Sequence, residues 1–135
     1  MIPRFQHLVI TAFFFSGCAS AEAQEDRAIL DAIDVLRESS PDDSAKRREL
    51  IAALTKRPAT NPLAIAARDS CAEAYRYMLE GKEGTDKVKG ALEKPSEAKF
   101  NLAETLAAAE ESIKKSEPAM RACQKATIDL SMKRR

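Results

Sequence analysis

The chain has 135 residues, 22 of them Lys or Arg and 21 Asp or Glu, with a single histidine and three cysteines. Near-neutral charge leaves no basic footprint for nucleic acid, and once a leader is removed the remaining length suits one domain and not two. Scarce aromatics, only four glycines and frequent Ala, Glu, Lys, Arg and Leu describe a helix former almost throughout, with no stretch that alternates at the period of a strand.

The N-terminal segment reads as an export leader. Arg4 is the only charged side chain before Glu22, an apolar run spans Leu8 to Phe15, and small residues follow from Ser16 to Ala21. These are the three parts of a secretory signal. The run is also shorter than the about 20 apolar residues that a membrane span requires. Phe15-Ser16-Gly17-Cys18 resembles the lipobox of bacterial lipoproteins, in which the cysteine becomes the first mature residue and carries the lipid; Phe15 departs from the aliphatic residue usual there. The resemblance implies a signal over residues 1–17, lipidation of Cys18 and a short tether over 18–24. With Ala19 after the cysteine, it also implies an outer-membrane anchor on the periplasmic side. Two A-x-A sites compete, Ala19-Ser20-Ala21 and Ala21-Glu22-Ala23, and cleavage after 21 or 23 would release a soluble periplasmic chain.

A single helical domain is expected over 25–132, followed by a basic tail over 133–135. The first helix runs from about Glu25 to Glu38, with Ile29, Leu30, Ile33 and Leu36 on one face. Ser39-Ser40-Pro41 stops it, and Ser40 as cap with Pro41 at the first helical position starts a second helix. That helix carries Ala45, Leu50, Ile51, Ala53 and Leu54 inward and ends near Arg57-Pro58. Asn61-Pro62 repeats the cap-then-proline signature. From there Leu63, Ala67, Cys71, Ala74, Tyr75 and Met78 recur at helical spacing, and the pattern resumes past Gly81 and Gly84 to Glu93. Ser96 caps a long fourth helix with Phe100, Ala103, Leu106, Ala107 and Ile113 inward. Pro118 should kink it, while Met120, Cys123, Thr127 and Leu130 keep its phase.

Together these elements predict an all-α bundle of about four helices, ending in a long antiparallel hairpin. With Cys18 lipidated or discarded, Cys71 and Cys123 are an even pair in an oxidising compartment. A hairpin that turns at Pro95-Ser96 brings them to nearly one level on facing stripes, which is what a disulfide requires.

The only histidine, His7, falls in the leader. A mature chain without histidine has no Ser-His or Cys-His nucleophile pair and no His-ligated zinc or haem, so neither catalytic residues, nor a metal site, nor a cofactor is expected. Adjacent carboxylates such as Asp42-Asp43 and Glu110-Glu111 point about 100° apart on a helix and serve as caps or solvated charge. Arg68, Arg76 and Tyr77 form the candidate contact surface, since exposed Tyr and Arg are enriched at interfaces; local packing along the helix is the plainer account. The layout with a helix-to-helix cysteine pair resembles plant invertase and pectin methylesterase inhibitors, without their additional N-terminal cysteine pair. The expected function is a non-catalytic envelope protein, a small lipoprotein that binds or scaffolds another envelope component. The alternative is a helical-bundle inhibitor or chaperone-like binder of an exported enzyme or client.

Overall fold

Each helix begins where a side-chain oxygen can satisfy the first free backbone amides. The computed structural model describes residues 20–134, which form α1 (Ala21–Glu38), α2 (Ser44–Thr55), α3 (Pro62–Glu93), one 3-10 turn (Pro95–Glu97) and α4 (Leu102–Lys133). The expected leader over 1–17, its His7, the lipidation site Cys18 and the last tail residue Arg135 lie outside the described residues. Among the described residues there is no strand, so the fold is all-α.

Three helix starts differ from the sequence expectation, those of α1 and α2 first. Ser20 Oγ accepts from the Ala23 amide at 3.2 Å, and Glu22 adds an acidic side chain to the first turn. The helix therefore starts four residues before Glu25, and residues 21–24, expected as tether, are part of it. For α2 the cap is Asp43, whose Oδ1 accepts from the Lys46 amide at 2.9 Å, and not Ser40. Ser40 Oγ instead accepts from the Asp42 amide at 3.2 Å, which folds Pro41 into a turn ahead of the helix.

The long helices follow the punctuation more closely. Asn61 Oδ1 accepts from the Ala64 amide at 2.9 Å, with Pro62 in the first turn. α3 then runs unbroken through its glycines for 32 residues, about 48 Å. The return helix starts later than Ser96: Pro95–Glu97 makes a single tight turn, and Asn101 Oδ1 caps α4 through the Glu104 amide at 3.1 Å. α4 continues through Pro118 as one helix of 32 residues. Pro118 and Lys114 both face solvent, so the carbonyl that loses its donor can turn to water.

α3 and α4 pair along a heptad seam. Steps of three and four lead from Cys71 through Ala74, Met78, Gly81, Thr85 and Val88 to Leu92, matched on α4 from Cys123 back to Leu102. Cys71 stands as far before the end of α3 at Glu93 as Cys123 stands after the cap Asn101, and the two sulfurs are bonded with Cα atoms 4.5 Å apart.

The hairpin is covered along only part of its length. α1 and α2, 18 and 12 residues long, are shorter than α3 and lie across one face of its N-terminal half. There Ile29, Ile33, Leu36 and Leu54 are fully buried against Ala64, Cys71, Tyr75, Cys123 and Leu130. We call this four-helix part the head and the bare remainder of the hairpin the arm. The boundary explains why several expected core positions are not core. Ala103, Leu106 and Ala107 are exposed and Phe100 is half-buried because no helix lies over the arm. In the head, Leu63 sits on the outer edge of α3 at 36% exposure, and Ala45 and Ala53 face solvent. Arg47 takes the inward position on α2 instead.

Candidate functional site

The Cys71–Cys123 bond belongs to the head core, with the two residues 0% and 3% exposed. Thr127 Oγ1 lies 3.5 Å from Cys71 Sγ and donates to the Cys123 carbonyl at 2.8 Å. The position is that of a staple between the hairpin helices, shielded from solvent thiols.

Arg68, Arg76 and Tyr77 do not form one surface. Arg68 Nη1 donates to the Arg57 carbonyl at 3.0 Å and Nε to Asp69 Oδ1 at 2.7 Å, and that bond to Asp69 raises the guanidinium pKa. Arg68 thereby holds the connection between α2 and α3. Arg76 and Tyr77 sit further along, with the guanidinium carbon 4.8 Å from the ring centroid. Tyr77 is half-buried, not exposed; its hydroxyl donates to Glu73 Oε1 at 3.1 Å, and Arg76 pairs with Glu80 at 3.3 Å. These bonds join neighbours four apart on one helix and contribute little to stability.

Just beyond Tyr77 the arm carries a groove of about 520 Å³ that the N-terminal part of α2 borders through Arg48, lined by Glu80, Glu83, Lys87, Glu104 and Ser112. Its floor is made by close backbone approach: a Cβ on Gly84 would stand 2.8 Å from Ala109 Cβ, and one on Gly81 would stand 2.7 Å from Ile113 Cγ1. Ser112 Oγ donates to Glu80 Oε2 at 3.4 Å, and Arg48 of α2 pairs with Glu83. The acidic wall is thus partly neutralised from within. Among the described residues, no group of three or more His, Cys, Asp or Glu side chains converges as a metal site.

The opposite face of the arm is apolar and open. Met78, Leu92, Leu106 and Ile113 hold seam positions, yet they are 37%, 66%, 41% and 50% exposed. Flanking them at the next heptad positions are Lys82 and Lys89 on the α3 edge and Glu110 and Glu117 on the α4 edge. In the head α1 bridges the two hairpin helices, and the turn before α2 reaches the near end of the open face, where Asp42 pairs with Lys82 at 3.4 Å.

Two side-chain clusters that the sequence pattern does not announce are structural. Arg47, 8% exposed, donates from Nε to Ser39 Oγ at 3.2 Å and from Nη2 to the Ser39 carbonyl at 3.1 Å, with its guanidinium carbon 5.8 Å from the Tyr75 ring centroid. Asp26, 1% exposed, accepts from Asn61 Nδ2 at 2.6 Å and from Lys133 Nζ at 3.2 Å, while Glu22 also accepts from Lys133. The hydrogen bonds to Glu22 and then Asp26 raise the Lys133 pKa against some desolvation. The start of α1, the start of α3 and the end of α4 are therefore joined at the base of the head.

No family model matches the chain, and no curated protein or solved structure matches it either. No described helix is long and apolar enough to cross a membrane.

Proposed function

We propose that this chain is a small, non-catalytic envelope lipoprotein, anchored through Cys18 and binding or scaffolding another component of the envelope through its hairpin. The observation that carries the reading is the unequal covering of that hairpin: in the head the seam is buried under the chain's own helices, and in the arm Met78, Leu92, Leu106 and Ile113 are partly in water while Val88 and Ala109 stay buried. Exposed apolar side chains gathered on one face and rimmed by charge favour a binding surface, because scattered singles are ordinary and a contiguous row is costly to leave wet.

The base of the head favours maturation ahead of Ser20. Cleavage after Ala21 would remove the Ser20 cap, and cleavage after Ala23 would also remove Glu22 from Lys133. A cut before Cys18 keeps both. It would place the lipid two residues from the cap, leave almost no tether, and send the hairpin tip roughly 50 Å away along α3. The absence of histidine from the chain beyond His7 supports a non-catalytic role.

The anchor is tested by intact mass after detergent extraction. The expected product begins at Cys18 with a diacyl or triacyl addition. An unmodified chain beginning at Glu22 or Gln24 would overturn the lipoprotein and leave a soluble periplasmic protein.

A further inference from the structure

We propose that the open face of the arm seats one amphipathic helix of a partner protein, carrying acidic side chains along its α3 edge and basic side chains along its α4 edge. The inference rests on the binding reading above and assigns it a surface and a partner chemistry.

Continuity supplies the first argument. In the head, the hairpin is bridged by α1, which packs on both α3 and α4, so its occupant there is already helical. The seam continues past Met78 with no change of period but loses its cover, and the exposed row from Met78 to Leu92 extends about 21 Å, the length of a four-turn helix. Grooves of this kind take helices whose anchors recur at three- and four-residue steps.

Charge supplies the second. Lys89 lines one edge and Glu110 the other, while Lys82 is already paired with Asp42 and Asp86 and Glu117 with Arg121. A helix lying between them is matched when its two flanks bear opposite signs, and mismatched when both are acidic or both basic.

A second copy of this chain fits less well. Two arms packed face to face with their heads at opposite ends would set α3 against α3 and α4 against α4. Lys89 would then meet lysines and Glu110 would meet glutamates.

The test uses the detergent-extracted mature chain and three labelled 18-residue peptides sharing a Leu stripe: one with Glu on one flank and Lys on the other, one with Glu on both, one with Lys on both. The mixed peptide should bind about 10-fold more tightly than either of the others, as two rim charge pairs allow. Leu92→Ser and Leu106→Ser should each abolish that preference while leaving the circular dichroism and thermal midpoint unchanged. Lys89→Glu should move the preference to the peptide with Lys on both flanks. Equal binding of all three peptides, or no binding at about 1 mM, overturns the inference. So does a concentration-dependent dimer in sedimentation that Leu106→Ser dissociates, because the face then belongs to a second copy. In-cell crosslinking to a partner only through the head overturns the face while sparing the binding reading; crosslinking to nothing from any position overturns both.

Discussion

Gly84 and Gly90 occupy one helix but meet different surroundings. A Cβ at Gly90 would touch nothing within 4 Å, whereas one at Gly84 would be forced 2.8 Å from Ala109 Cβ with the α4 backbone close behind. Gly90→Ala should therefore stabilise the chain by about 0.5–1 kcal/mol through helix propensity alone. Gly84→Ala should destabilise it by about 1 kcal/mol net, because overpacking outweighs the same propensity gain. Chemical denaturation of the two variants reads the sign of each change, and a stabilised Gly84→Ala would show that α4 can move away. Arg47→Ala should cost about 1–2 kcal/mol by leaving the Ser39 carbonyl and hydroxyl without their charged donor. None of this was legible residue by residue. An arginine in a weakly patterned helix reads as solvated until its partner eight residues earlier is seen beside it, and a helical glycine reads as a defect until the opposing Ala109 shows why nothing larger fits.

The elements themselves were largely legible. Asn61-Pro62 announced α3, the phase of Ala67, Cys71, Ala74 and Tyr75 placed Cys71 inward, and the level argument paired it with Cys123. What the stripe could not convey was where its cover ends. A heptad seam has the same spacing whether a third helix lies over it or not, so Met78, Leu106 and Ile113 looked like core and are half in water. Two outcomes follow at this scale. Replacing both Cys71 and Cys123 with Ala should lower stability by about 4 kcal/mol, the loop-closure value for a separation of 52 residues, measurable as the urea-denaturation difference from wild type. Amides of the arm beyond Gly84 should exchange with deuterium well before those around Ala67 to Ala74, because the arm has few buried apolar contacts to open.

At the scale of the molecule, Lys133 joins the end of α4 to the start of α1 through Glu22 and Asp26. Because its folded pKa is raised, its contribution is complete below the unfolded lysine value of about 10.4 and fades as the pH climbs through the higher folded value. Lys133→Met should flatten that alkaline decline in thermal midpoint, and an unchanged alkaline slope would show that the contact does not matter. With the base closed in this way, the start of α1 and the arm tip lie at opposite ends of the hairpin, and the proposed binding is placed on the arm. Photo-crosslinking in intact cells tests that assignment most directly, with the photoreactive residue placed in turn at Leu106 and Ile113 on the arm and at Val35 and Ile128 on the head, positions of comparable exposure at 41%, 50%, 51% and 57%. The predicted result is one discrete adduct from both arm positions and none from the head positions. Adducts from the head alone, or equal yield from all four, would contradict it.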